Sequence, residues 1–487
     1  MLYYNSQYNF CFFTETGILL YNAKTGATYK IGGKDAKILT NILTGSKKEI
    51  KKDLLPDNLL NLFLDKGFLV QSNRNELLEI REKYWKARGE TPMVLTITTT
   101  MNCNLGCYYC YEERSQKKLQ FNDIATLVDN LTKSYREKPF LSLHVDWYGG
   151  EPLLNQAFLE NASYAIQEFC NNNEVNYHAS VVSNGTEWPE DVQSFITNHK
   201  IRQVQISFDG LQKNHDKSRH YRKGFNPDGK SSFQVAYNLV DKLLDCVQVD
   251  IRFNIDWNTK NDIFPFLDQI IEQGWFQKKH KAVFQPAKLS AYTEKSSFMR
   301  KKQLTNEEFD AIRLKIRKRL TNIGDMEESE MPENYPFPRN HVCAALASKS
   351  MVVGADQLIY RCGLQVGETH RAVGAITDPE KEFKDTNWWN SFDPTRQPSC
   401  SKCSFLPICF GGCPKKHLEG DQEALDEMGD YWRTNLAVKV AAYVNEKLVD
   451  TNPLPETDQF RELYQEKRPV EATETTATTP KWQRVNL

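Results

Sequence analysis

The sequence is short of long apolar runs, of net charge and of paired-looking cysteines, and each shortage narrows what the 487-residue chain does. No run approaches the roughly 18 apolar residues that cross a bilayer. The N-terminus, MLYYNSQYNFCFF, has no cationic region leading into a long apolar stretch, so it does not read as an export signal. Formal net charge is −1, which excludes a bulk attraction to nucleic acid or to an acidic membrane while leaving room for a local basic groove. These absences read as a soluble, unexported, cytoplasmic protein with no membrane and no nucleic-acid partner. Its length suits two or three domains of roughly 100–200 residues each.

A disulfide framework is missing as well. The twelve cysteines fall into a group of three and a later group of six at metal-type spacings. Cys11, Cys170 and Cys246 are scattered through apolar segments and read as small buried hydrophobes. In a long chain without a signal peptide this usage points to metal chemistry in a reducing compartment.

The first group, Cys103, Cys107 and Cys110, has the spacing C-x3-C-x2-C and follows the extended run VLTITTT. No fourth ligand is near, since the first histidine downstream is His144. Structural zinc sites close the ion with four ligands. Three thiolates instead satisfy three irons of a [4Fe-4S] cube and leave the fourth iron open to a small molecule. From Met93 onward extended and helical patterns alternate six times, which implies a parallel sheet covered by helices with right-handed crossovers. In barrels of this kind chemistry sits at the C-terminal ends of the strands. Gly149-Gly150-Glu151-Pro152 closes the second strand, where glycines admit a ligand to the backbone and a carboxylate accepts from an ammonium. Ser183-Asn184-Gly185-Thr186 closes the third. It suits either contact with sugar hydroxyls or a plain Asn-Gly turn. Asn254 and Gln285, on the fifth and sixth strands, are further pocket candidates.

The segment CNLGCYYC, with Tyr109 before its last cysteine, resembles the signature of the radical S-adenosylmethionine (SAM) superfamily. That resemblance implies a partial (β/α)6 TIM-like barrel over residues 93–325. It also implies a [4Fe-4S] cluster whose open iron holds SAM, and a 5'-deoxyadenosyl radical that abstracts hydrogen. Gly149, Gly150 and Glu151 match the family's GGE motif, which holds the SAM amino group, and Ser183 falls where members approach the ribose. SFDGLQKNHDKSR is similar to the S-x-D-G…H-D-x-x-R stretch of sulfatase-maturase-like members. The likeness implies Ser207 and Arg219 at the methionine carboxylate, with Asp209 and His215 shaping the loop.

Residues 1–85 show two alternating runs with turn chemistry at Lys24-Thr25-Gly26, then helical patterns at KDAKILTNIL and DNLLNLFLDKGFLV. This winged-helix-like order resembles the PqqD-like domain that holds a precursor peptide's leader by strand addition. Residues 74–92 read as a helical connector.

Beyond residue 330 come Cys343, Cys362 and then CSKCSFLPICFGGC, with Cys400, Cys403, Cys409 and Cys413. Taken alone this spacing also suits a zinc ribbon. Behind the barrel it resembles a SPASM domain over 335–448, with one or two auxiliary clusters, expected to be [4Fe-4S]. DQLIYRC fits that domain's D-G-x-I-Y-x-C strand, with Gln357 in place of glycine. The family's connectivity implies Cys343, Cys362 and Cys413 on one cluster and Cys400, Cys403 and Cys409 on the other. No cysteine follows Cys413, so Asp430 stands as a carboxylate ligand candidate. Residues 433–448 read as a closing helix. The Thr-, Pro- and Glu-rich stretch 451–487, with Trp482, reads as disordered. The combination implies a maturase of ribosomally made peptides, with a precursor peptide as partner and flavodoxin or ferredoxin as electron donor.

Overall fold

In the computed structural model, residues 2–32, 49–51, 55–226, 228–322, 335–378, 381 and 383–449 are described. The helix expected at KDAKILTNIL and the stretch 451–487 with Trp482 lie outside them. The chain packs as two units, residues 1–90, 328–343 and 391–487 in one and residues 91–327 and 344–390 in the other. The segment expected as one C-terminal domain, 335–448, is therefore shared between them.

The first unit holds two small antiparallel sheets. Strand β1 (Leu2–Asn5) lies between β5 (Glu49–Lys51) and β6 (Leu69–Gln71), while β2 (Asn9–Thr14), β3 (Gly17–Asn22) and β4 (Thr28–Ile31) form a meander. The turn between β3 and β4 falls at the Lys24-Thr25-Gly26 signal. There the Asn22 side-chain oxygen accepts from the backbone of Lys24 and Thr25, the Asx-type substitute for a main-chain turn. The helix Asp57–Asp65 buries Leu59, Leu60 and Phe63 against Ile18, Leu20, Ile31 and Phe68. The connector helix Glu76–Glu90 is fastened to residues 392–395. Tyr84 Oη and Arg88 Nη1 both donate to Phe392 O at 2.9 Å, and Trp85 Nε1 donates to Asp393 Oδ2 at 3.1 Å.

The second unit is built on six parallel strands: β7 (Met93–Thr98), β8 (Ser142–Tyr148), β9 (Asn176–Ser183), β10 (Ile201–Phe208), β11 (Gln248–Ile255) and β12 (Ala282–Lys288), paired in sequence order. The intervening helices include Phe121–Glu137, Gln156–Asn172, Val192–Asn198, Ser232–Leu243, Ile263–Glu272 and Asn306–Asn322. Each strand splits its residues by period two. Leu95 and Ile97, Val145 and Trp147, Val204 and Ile206, and Ile251 and Phe253 join one apolar core with the helices. Thr96, Asp146, Ser180, Gln203 and Asp250 share the opposite, polar face. There Asp146 accepts from Thr96 and Ser180, and Asp250 accepts from Gln203 and from Gln285 at 2.6 Å.

The sheet does not stop at six strands. On the far side of β7 come β13 (Met351–Val353), parallel to β7, and then β14 (Leu358–Tyr360) and β15 (Gly374–Ala375), antiparallel. Gln357, at the β13–β14 turn, has φ +65°, the left-handed region that glycine adopts without penalty. Its Nε2 donates to Asp123 Oδ1 at 2.8 Å, an interaction glycine would forgo.

Candidate functional site

The cysteine loop lies across the C-terminal ends of β7 to β11. It is held first by backbone. Gly150 N donates to Thr100 O at 3.0 Å and Glu151 N to Asn102 O at 2.9 Å, so the GGE turn continues the pairing of β7 with β8 beyond the strands. A Cβ on Gly149 would stand 2.5 Å from Thr100 O, and one on Gly150 would stand 2.4 Å from Asn102 O. These two glycines therefore admit the cysteine loop's own backbone.

Side chains then fasten the loop to its neighbours. Asn104, fully buried, donates to Thr186 Oγ1 and Glu187 Oε1, both at 2.7 Å, and accepts from Asn184 Nδ2 at 2.7 Å. Arg222 Nη1 donates to Cys103 O at 2.7 Å and to Asn102 Oδ1 at 3.1 Å. Arg114 Nη2 donates to Cys107 O at 2.9 Å. Sequence reasoning did not single out Asn104 or Arg222. Asn104 carried a usable signal, a buried-type loop position between two metal-type cysteines occupied by an amide with both donors and an acceptor to satisfy.

Glu151 is fully buried. Its carboxylate accepts from Asn184 N at 2.7 Å, Ser183 Oγ at 2.9 Å and Leu153 N at 3.3 Å. Burial outweighs these bonds and pushes its pKa up to about 7. An ionised carboxylate has about four lone-pair sites, so three protein donors leave capacity for one more cation or donor. Ser183 is different. Its hydroxyl donates to Glu151 and accepts from Gly185 N and Trp188 Nε1, both at 3.0 Å. With its proton and both lone pairs committed within the protein, Ser183 braces Glu151.

On the other side of the loop, Tyr109 Oη is a junction. It donates to Asp209 Oδ1 at 2.9 Å and accepts from Arg219 Nη1 at 2.6 Å and Asn254 Nδ2 at 3.1 Å. Asp209 also accepts from Asn254 Nδ2 at 2.9 Å and Ser218 Oγ at 2.8 Å, and stands 3.6 Å from Arg219. The Tyr109 hydroxyl is thus fully engaged with protein, which leaves only its ring for a cofactor. Arg219 is buried, and its Nε has no hydrogen-bond partner. Nearby Tyr109, Cys107 and Asp209 keep it charged despite its burial. Ser207 is buried at the end of β10, in register with Arg252. His215 packs between Phe208 and Phe233, and burial and then Arg219 hold its pKa well below the usual value. Gln285 bonds to Asp250 lower on the sheet, away from the Tyr109 junction.

Burial first, then Cys107, lifts the Cys103 thiol to about 12, and burial lifts Cys107 to about 11, with Arg219 opposing and Asp209 and then Cys110 adding. Among the described residues no three Cys, His, Asp or Glu side chains converge as ligands of one metal ion. A cube offers each thiolate its own iron, so convergence on one point is not what it requires. Three neighbouring thiols, a buried guanidinium with an orphan Nε and a buried carboxylate with spare acceptor capacity fit a [4Fe-4S] cluster and the two charged ends of an amino acid. The Radical SAM superfamily profile matches residues 97–255, which contain every one of these groups. The chain is a radical SAM enzyme.

An uncharacterized protein of Methanocaldococcus jannaschii is 28% identical over 302 residues, covering 59% of this chain and 90% of that protein. The mycofactocin maturase MftC of Mycolicibacterium smegmatis is 22% identical over 339 residues, covering 66% and 78%. The structure of native anSMEcpe with bound AdoMet superimposes with a TM-score of 0.52 at 19% identity, covering 72% of this chain and all of that one, which shows the shared fold. This radical SAM enzyme is related to peptide maturases.

The C-terminal cysteines divide between the units: Cys343, Cys400, Cys403, Cys409 and Cys413 in the first and Cys362 in the second. Burial pushes the Cys409 thiol up to about 11, with Arg339 opposing and Cys403 and Cys400 adding, so these three cysteines lie in one neighbourhood. Arg339 Nε donates to Ile408 O at 3.1 Å beside them. Asp430, the carboxylate ligand candidate, pairs with Arg433 at 2.5 Å with its side chain 62% exposed. It sits one helical turn from that arginine on the helix Gln422–Tyr443. Among the described residues no helix is long and apolar enough to cross a membrane.

Proposed function

We propose that this enzyme matures a ribosomally made precursor peptide by installing a cross-link. The observation that carries the reading is the pair of buried, oppositely charged groups flanking the three thiols, Arg219 with its free Nε and Glu151 with its spare acceptor. Cys103, Cys107 and Cys110 would hold the cluster, which with SAM bound and flavodoxin or ferredoxin as electron donor would supply a 5'-deoxyadenosyl radical. Arg219 fixes the SAM carboxylate by a charge-assisted bond, which a planar guanidinium makes well. Glu151 takes the ammonium, and Ser183 and Asn184 hold that carboxylate in place. Residues 1–85 bind the leader, and the C-terminal cysteines would hold one or two auxiliary clusters, which would supply an acceptor for the electron that linkage leaves over. Cross-linking is favoured over epimerisation because the removal of two hydrogens needs such an acceptor.

Mass spectrometry of a precursor peptide after turnover tests the reading. A product two hydrogens lighter supports it. Unchanged mass with solvent deuterium at one residue contradicts it in favour of epimerisation.

A further inference from the structure

Strand β2 stands at one margin of its sheet. The end of β2 nearest the β2–β3 turn is nevertheless covered, by the chain's own residues 446–449, which follow the helix Gln422–Tyr443. Glu15 N donates to Lys447 O at 2.9 Å, Val449 N donates to Phe13 O at 3.2 Å, and Leu448 pairs antiparallel with Thr14. One side chain fixes the register: the Glu446 carboxylate meets Lys30 Nζ at 2.5 Å and the Thr16 hydroxyl. Main-chain bonds to an open edge, with one position read by charge, is the physical pattern of strand addition.

The attachment is slight. Lys447 and Val449 are exposed, Val449 by 38%, so the segment buries little apolar surface beyond its two main-chain bonds. The neighbouring β2–β3 pairing, by contrast, runs over six residue pairs with Phe10, Phe12, Leu19 and Leu20 buried. A contact this small exchanges readily for a segment of the same chemistry.

We infer that residues 446–449 occupy in cis a docking edge for an extended peptide that carries a carboxylate at the Glu446 position. An incoming peptide displaces them, and Lys30 and Thr16 select it. That the natural occupant is the precursor rests on the peptide-maturase reading; the edge and its cis occupant do not. The chain's own segment has the advantage of tethering, equivalent to a local concentration on the order of millimolar. The site is therefore closed to weak ligands and opens to tight ones.

The test uses a fluorescent peptide of residues 444–450 and its Glu446→Gln form, titrated into the full-length protein and into a chain ending at Asn445. The shortened chain should bind the acidic peptide at least tenfold more tightly than the full-length protein does, and the Gln peptide several-fold more weakly. Equal affinity for both chains, or none for the shortened one, overturns the inference. If the shortened chain does not fold, hydrogen exchange on the full-length protein decides. Lys30→Glu should expose the Glu15 and Val449 amides, and Lys30→Glu with Glu446→Lys should protect them again. Unchanged protection in Lys30→Glu overturns it. Production of 5'-deoxyadenosine is read separately, so a failed enzyme reading is not mistaken for a failed docking edge.

Discussion

Arg219 Nη1 donates to the phenol oxygen of Tyr109 at 2.6 Å, while the Nε of the same guanidinium has no partner. One edge of the arginine is spent on holding the cysteine loop, and the other is left for a ligand.

Arg219→Lys should therefore separate cluster from cofactor. Lysine keeps the charge but cannot serve Tyr109 and a carboxylate at once. Losing a hydrogen bond to a charged group costs about 1.5–3 kcal/mol, so the Kd for SAM should rise at least about tenfold. Iron content should stay near the parent's. Titration of the reconstituted variant checks this. Tyr109→Phe should act differently, leaving Asp209, Asn254 and Arg219 each short of a buried partner and lowering stability by about 1–3 kcal/mol.

SAM affinity should depend on pH through Glu151. Its pKa is raised to about 7 by burial, above the ordinary 4.5. Such a group destabilises the empty fold once ionised, so its contribution is favourable below the ordinary pKa and is lost as pH rises through about 7. An ammonium reverses the preference by stabilising the ionised form. Binding should then release a proton, and affinity should climb between about pH 5.5 and 7.5 and level off above. Glu151→Gln should flatten that profile. Calorimetry in buffers of different ionisation enthalpy counts the proton directly.

Gly150→Ala should cost the enzyme its cluster. The new Cβ meets Asn102 O at 2.4 Å, a backbone atom one residue from Cys103, so the loop has to move. Iron per chain after anaerobic reconstitution should fall well below the parent value. Gly32→Ala, with nothing within 4 Å of its Cβ, should leave it unchanged.

At the β13–β14 turn, Gln357 trades backbone comfort for a side-chain bond. Left-handed geometry costs a non-glycine residue roughly 1–2 kcal/mol, and the bond to Asp123 returns roughly 0.5–1.5 kcal/mol. Gln357→Gly should thus leave stability nearly unchanged, whereas Gln357→Ala keeps the cost, loses the bond and should lower it by about 1 kcal/mol. Denaturant unfolding of the two variants side by side decides.

Much of the parallel sheet and its helices could be read from the chain because their signals are local. Period-two strands, helical patterns and glycines recur in a fixed order, and residues 93–325 form the six parallel strands that order implies. What stayed illegible depends on contacts that exist only once the backbone has taken its path, some of them far apart in sequence and some near. Nothing at Met351–Val353 announces that it will extend the sheet beside β7. The Ser183 hydroxyl is committed to Glu151, which it meets only once β8 and β9 are side by side, and to nearby Gly185 and Trp188 through the turn that follows β9. The sequence places Arg433 near Asp430 without saying that the two share a helix face, where they pair. Asn104 matches no ligand motif because its side chain joins two loops.

The most direct measurement is production of 5'-deoxyadenosine by the reconstituted, reduced protein given SAM, compared with Cys103→Ala. The parent should release 5'-deoxyadenosine and methionine, and the variant, left with two of three thiolates, should release none. Release by Cys103→Ala at the parent's rate would contradict the assignment of the cluster to Cys103, Cys107 and Cys110, and no release by the parent would contradict the enzyme itself.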